Sequence, residues 1–299
     1  MRVVKVFGIA ALIIACGVLT HARQTPPVVT TVSVTAAVSE SSGVYTYRYK
    51  ITNPRANTGS LWLIATDVSK SAGTIPLSDE GLNSDERLFQ ATSQINRDQL
   101  GDKLVAVGVG SPFGWNAMVT QSNTVQWNAS DDTPLLAPGV TQDGFRLTSR
   151  GLPVIRHLQV EAYLDFNALR VADPAGAADI PRYKADVDAV RQKLSASALT
   201  IGPGAPPIQF DPEAFIRTLM AYKDQAVAAG WLRDQGIGRS LDAKLNAARA
   251  AVARGNTGTA ANELNALLHE VEAQAGKQLS PESVALLKFN TQYLLSKLR

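Results

Sequence analysis

Histidine is the side chain that titrates near neutral pH and the commonest nitrogen ligand for metals. His157 falls in a strand-like run and His269 in a helical one, and neither stands at a local metal-binding spacing. His269-Glu270 opens like a helical zinc-protease motif. That chemistry needs a second histidine four positions on, where the chain has Ala273. No Gly-x-Ser-x-Gly elbow marks a nucleophile, although a Ser-His-Asp triad can in principle be assembled from distant parts of a chain. Asp79, Glu80, Asp85 and Glu86 offer the hard oxygen donors that calcium takes, but not in the order of an EF-hand loop, and a solvated loop accounts for them. Gly108-Val109-Gly110-Ser111-Pro112-Phe113-Gly114 fails as a dinucleotide fingerprint because its last glycine is displaced and Pro112 intervenes, so it reads as a turn leaving a strand. Asn128-Ala129-Ser130 is a glycosylation sequon by pattern only. The expectation is a protein with no catalytic set, no metal site and no cofactor.

The aromatic residues are better candidates. Tyr45, Tyr47, Tyr49, Trp62, Trp115 and Trp127 are amphipathic rings of the kind that stack on sugars. Tyr45, Tyr47, Tyr49, Trp115 and Trp127 are therefore carried forward as candidate ligand-stacking residues. The competing reading is that most of them are core, because alternating tyrosines on a sandwich strand usually form its buried face. Trp231, at a helix–turn junction, reads as a packing anchor.

These residues need a scaffold, and the pattern supplies two. From about Val28 to Leu169 the chain is strand-like. Tyr45, Tyr47, Tyr49 and Ile51 alternate with Thr46, Arg48 and Lys50 until Asn53-Pro54 breaks the run. Leu61–Val68 is apolar on both parities, as in a central strand covered on both faces. Lys103–Val109, Ala117–Val119, Thr124–Trp127, Phe145–Thr148 and Ile155–Tyr163 follow, and seven or eight such strands predict an antiparallel β-sandwich over 28–170. Residues 70–100 break the pattern with a polar excursion and a short helix near Ser84–Ala91. Residues 171–207 read as a linker: Ala172–Gly176, a short helix over Arg182–Leu194, then Gly202–Pro207, too rich in Pro and Gly for either regular state.

From 208 onward four helices are expected. Asp211 caps the first, with Pro212 at its first position and Phe215, Leu219 and Val227 inward. Ser240 caps the second, with Leu241, Leu245, Ala248 and Val252 inward and Gly255 as the stop. The third starts near Thr257, buries Ala261, Leu264, Leu268 and Val271, and stops at Gly276. Ser280-Pro281-Glu282 opens the fourth, which carries Leu287, Tyr293, Leu294 and Leu298. The fold class is multidomain, a sandwich followed by an all-α bundle. Proteolysis near 172–182 or 202–207 is expected to leave a folded piece from about 208.

Arg2 and Lys5 precede the apolar run Val6–Leu19, too short to span a bilayer, and Thr20-His21-Ala22 ends it with small residues at the −3 and −1 positions. Residues 1–22 read as a signal peptide cleaved before Arg23, with a secreted or periplasmic product and no transmembrane span. The alternative is a lipobox over Ile13–Cys16, which makes Cys16 a lipid anchor. The whole chain has 29 Lys and Arg against 26 Asp and Glu; losing Arg2 and Lys5 leaves 27 against 26, a net charge of +1. With no cluster of five basic residues, a nucleic-acid partner is not expected. Cys16 is the one cysteine of 299 residues, which excludes an intramolecular disulfide.

The helical third carries Gly230-Trp231-Leu232, Gly236-Ile237, Ser240–Leu245, Gly255-Asn256, Ala260-Ala261, Leu264-Asn265-Ala266, Glu270-Val271, Leu279 and Tyr293-Leu294. Over about 200–299, including the lead-in Thr200–Pro203, this resembles the FIMAH domain, a helical module of secreted bacterial proteins. The resemblance implies a non-catalytic module beside an extracellular catalytic or adhesive domain. Tyr45–Asn53, Gly114-Trp115, Trp127 and Ala137-Pro138-Gly139 leading to Gly144-Phe145 more loosely resemble exported bacterial immunoglobulin-like domains, which implies architecture and no activity. The functional expectation is a non-enzymatic exported binding or interaction protein with a glycan or protein partner at the cell envelope. The alternative is an accessory subunit, or a hydrolase with an acid–base pair in 70–100.

Overall fold

The computed structural model describes residues 27–68, 108–119, 124–130, 135–164, 189, 193–204 and 206–298. Residues 1–22 with Cys16, the acidic residues Asp79 to Glu86, the helix expected near Ser84–Ala91 and most of Arg182–Leu194 lie outside them.

Among the described residues the first part of the chain forms two antiparallel sheets. One has the order β1 (Ser33–Ser41), β2 (Val44–Thr52), β7 (Thr141–Ser149), β4 (Gly108–Gly110). The other runs β5 (Trp115–Val119), β6 (Thr124–Ala129), β3 (Leu61–Asp67), β8 (Leu152–Ala162), β9 (Ser195–Gly204). The hairpin of β1 and β2 turns on Ser42-Gly43, with φ of 53° and 78°. Two consecutive left-handed residues are what a two-residue turn needs to follow the strand twist, hence glycine at the second.

Alternation along β2 sends Tyr47, Tyr49 and Ile51 inward, opposite Leu147 and Phe145 of β7. Ile64, Val125, Trp127, Leu158, Val160 and Ile201 of the other sheet meet them in one core. Trp127 touches Tyr49 and Phe145 edge-on at centroid distances of 5.8 Å. A buried ring must also satisfy its polar atom. Tyr47 Oη donates to the Gly151 carbonyl, Tyr49 Oη to Ile201 and Trp127 Nε1 to Gly110. β3 lies between β6 and β8; Leu61, Ile64 and Ala65 are buried, whereas Trp62 and Leu63 are half-buried.

β9 corrects the linker reading at Gly202–Gly204. That segment pairs residue by residue with Leu152–Val154, placing Pro203 opposite Pro153. An edge strand tolerates a proline because one side of its backbone has no ladder to complete. The flanking glycines are required by close approach. A Cβ at Gly204 would sit 2.5 Å from Val154 Cγ1, and one at Gly202 would sit 3.0 Å from the Arg156 side chain.

Four helices follow: α1 (Pro212–Ala228), α2 (Gln235–Ala253), α3 (Thr257–Gln274) and α4 (Pro281–Leu298). Asp211 caps α1 as expected. Asp234, not Ser240, caps α2, accepting from the Ile237 N–H; Ser240 lies inside the helix and donates to Glu270. In α3 Leu264 and Val271 are buried as expected, but the other two buried positions are Ala260 and Leu267 rather than the half-buried Ala261 and Leu268. In α1, Ala226 is buried while Val227 is exposed, and in α2 Ala251 takes the buried place expected of Val252.

The helices are not a separate body hung on the sandwich. α4 lies against β1, β8 and β9. Its Ala285, Leu286 and Phe289 belong to the sandwich core, whereas Leu287 and Leu294 belong to the core of the helices. Leu152, from β8, joins the helical core in return. Asn290 donates from Nδ2 to the Pro153 carbonyl at 2.8 Å, and Tyr45 packs edge-on against Phe289 at 5.3 Å.

Candidate functional site

The five aromatic candidates do not form a stacking platform. Tyr47, Tyr49, Trp115 and Trp127 are all buried, and Tyr45 is half-buried against Phe289. Inward alternation on β2 and the inter-sheet position of Trp127 consume their faces, so the core reading holds for them. His157, on β8, and His269, on α3, are exposed and far apart in the fold. Among the described residues no group of three His, Cys, Asp or Glu side chains is placed to hold a metal. The glycine-rich run forms β4 and a turn with Gly114 at φ 81° leading into β5. The acid–base alternative of 70–100 lies outside the described residues.

The residues that do converge sit where the helices meet β1. The loop joining α1 to α2 and the loop joining α3 to α4 pair through a bridge between Leu232 and Leu279. The Arg233 N–H donates to Gln278 and the Ser280 N–H to Trp231. With Val34 and Thr35 of β1 these loops wall a cleft of about 310 Å³. Trp231, Arg233, Lys277, Ser280 and Glu282 supply its chemically distinct lining.

Glu282 is the hinge of this arrangement. It is buried, at 3% exposure. Oε1 accepts from the Ala36 N–H of β1 and Oε2 from the Ser280 hydroxyl, each at 2.6 Å. β1 is the outer strand of its sheet. An unpaired edge N–H invites another chain to add a strand, and here a carboxylate occupies it. Trp231 packs its buried part on both cores. Its backbone N–H donates to Ala226, and its carbonyl accepts from Ser280 N–H and Ser283 Oγ. What remains for the cleft is the part of the ring that the two cores leave uncovered. Lys277 Nζ rests on the Ala273 carbonyl at the end of α3, and the Arg233 side chain makes no ion pair among the described residues. Both cations are exposed.

Behind the cleft, charge is held structurally. Burial works against the Lys223 ammonium, but hydrogen bonds and charge from Asp224 and Asp242 outweigh it and hold its pKa above the ordinary lysine value. Burial lowers the Arg156 pKa, opposed first by Asp67 and then by Tyr49, Tyr47 and Tyr222. Arg156 donates to the Pro203 carbonyl at 2.8 Å, tying the interior of the sandwich to β9.

Comparison with known families falls on the helices. Residues 216–296 match the FIMAH domain. The match starts inside α1 and ends near the close of α4, so the Thr200–Pro203 lead-in lies outside it, in β9. The FIMAH match thus includes the α4 residues that complete the sandwich core, and every cleft residue except Val34 and Thr35. No curated protein matches the chain. No helix among the described residues is long and apolar enough to cross a membrane.

Sequence reasoning missed the cleft. It took Trp231 for a packing anchor and Glu282 for a helix start, which are both half of what these residues do. The local signals were turn glycines at 230 and 276, each followed by a loop of the same hand. Nothing in the chain told that the two loops pair, or that β1 stands opposite.

Proposed function

We propose that the chain is an exported, non-enzymatic binding protein of the bacterial cell surface or periplasm. It joins an immunoglobulin-like sandwich to a FIMAH-like bundle. The observation that carries this reading is the junction cleft, whose walls come from both parts and whose backbone groups are held by Glu282 and the paired loops. Small-molecule sites are concave with a few fixed polar groups, and this open cleft sets Trp231, Leu279 and Val34 beside Thr35, Ser280, Arg233 and Lys277. The basic start and short apolar run of residues 1–22 support export. The strand order supports the immunoglobulin-like part: β1-β2-β7-β4 and β9-β8-β3 stand where A-B-E-D and G-F-C stand in that fold, with β5 and β6 added beside β3 before the return to β7.

Two measurements test the proposal. The mass of material exported by a bacterial host is expected to begin at Arg23; a diacylated or triacylated Cys16 replaces the soluble form with an anchored one. The mature chain, presented to a glycan array and to envelope extracts, is expected to retain a ligand reproducibly. A chain that stays in the cytoplasm, or retains nothing, removes the reading.

A further inference from the structure

We propose that the junction cleft seats a single acidic sugar ring, a hexuronate unit of an extracellular or envelope polysaccharide. The proposal rests on the binding-protein reading above and names the ligand class of the same cleft. Three features select that class. Sugar rings stack on indole, and Trp231, half-buried against the two cores, lines the cleft with the part of its ring that they leave uncovered. Arg233 and Lys277 bring two exposed cations to the rim. The one carboxylate in the lining, Glu282, is turned to the Ala36 N–H and the Ser280 hydroxyl and pairs with neither cation. The side chains of the lining carry one net positive charge, which favours a carboxylated ligand over a neutral one.

Size and edge chemistry exclude the main competitor. An acidic peptide would gain affinity by adding as a strand to β1. The outward N–H of Ala36 is already bound by Glu282, and α4 lies over that edge. A volume of about 310 Å³ is at the lower end for small-molecule sites, which start near 300 Å³, and suits one ring rather than an oligomer. Neighbouring rings of a polymer would lie outside, near the Thr35 and Ser280 hydroxyls.

The experiment uses the mature chain, residues 23–299, with a galacturonic acid trimer, its methyl ester and a glutamate trimer, read by calorimetry and by tryptophan fluorescence. The acid trimer is expected to bind at least about tenfold more tightly than the ester, with affinity falling as salt rises past the point where exposed charges are screened. The double variant Arg233→Ala/Lys277→Ala is expected to lose at least about tenfold for the acid and little for the ester. Its melting temperature should be unchanged because both side chains are exposed. Trp231→Phe should weaken both sugars while keeping the preference for the acid. An ester that binds as well as the acid, a double variant that binds the acid normally, or a glutamate trimer that binds as well as the sugar each overturns the proposal. If the mature chain retains another ligand and the double variant retains it equally, the binding-protein reading stands and the acidic-sugar site does not. If it retains nothing, both fall.

Discussion

Leu286 and Leu287 are neighbours on α4 and both fully buried, yet they enter different cores. Leu286 fills space between the sheets; Leu287 packs among the helices. Truncating either to alanine removes three carbons, about 2.4 kcal/mol of transfer energy at about 0.8 kcal/mol each. The cavity left behind raises the cost to about 3–5 kcal/mol. Little collapse can relieve it at Leu286, because Phe289 is fixed there by Tyr45 and Asn290 by the Pro153 carbonyl. The assay is urea unfolding followed by two signals. Near-ultraviolet dichroism reads the Tyr49–Trp127–Phe145 cluster of the sandwich, and far-ultraviolet dichroism at 222 nm reads the helices. If α4 couples the two cores, Leu286→Ala moves both signals to lower urea together, and Leu287→Ala does the same. If the helices were merely tethered, Leu287→Ala would move only the helical signal and Leu286→Ala would leave the ring signal in place. A cost below about 1 kcal/mol at Leu286, or two signals that part company, refutes the interlocked core.

Other consequences follow from the same contacts. Glu282→Ala strands the Ala36 N–H and the Ser280 hydroxyl and is expected to cost about 2–3 kcal/mol in urea unfolding. Glu282→Gln keeps an acceptor for Ala36 and should cost under half of that, so equal losses for the two variants would count against the carboxylate's role. Burial raises the hydroxyl pKa of both Tyr47 and Tyr49. Their folded values therefore lie above the unfolded value of about 10, and stability present below that pH is lost as pH rises past it, by about 1.4 kcal/mol per pH unit for each ring. Lys223, also raised, acts in the same direction. Tyr47→Phe should flatten the alkaline slope of the urea midpoint, and a midpoint that stays level to pH 11 would contradict the assignment. A fragment starting at residue 208 exposes Ala285, Leu286 and Phe289; it is expected to bind a hydrophobic dye and melt without cooperativity, and a sharp melt of that fragment would show that the helices fold alone.

How much of this was legible in the chain depends on where the deciding contact lies. Alternation of Tyr45, Tyr47, Tyr49 and Ile51 specifies β2 because strand pleating is a property of adjacent residues. The same holds for Asp211-Pro212 at α1 and Gly255 after α2, where cap chemistry is local. The errors have a common source in distance. Gly202-Pro203-Gly204 resembles a break until Val154 stands so close to position 204 that glycine is needed there, with Arg156 tight against 202. Ser240 looks like a cap until Glu270, thirty positions on, offers its hydroxyl a better partner while Asp234 takes the cap. The aromatic candidates fail for the opposite reason. Their types were read correctly, but stacking needs a free face, and freedom is decided by the second sheet.

The cleft carries the same lesson into function. Helical periodicity alone allows α4 one apolar face. The chain gives it two, with 285, 286 and 289 on one side and 287 and 294 on the other, so a helix expected to close a bundle also closes a sandwich. Once α4 is placed by those two cores, Glu282 at its first turn must lie over β1. A buried carboxylate there is tolerable because the Ala36 N–H and the Ser280 hydroxyl meet it. That capture leaves Arg233 and Lys277 without a carboxylate across the cleft. The positive rim is thus a consequence of the junction's own packing, which turns Glu282 to β1 and Ser280 rather than to Arg233 or Lys277.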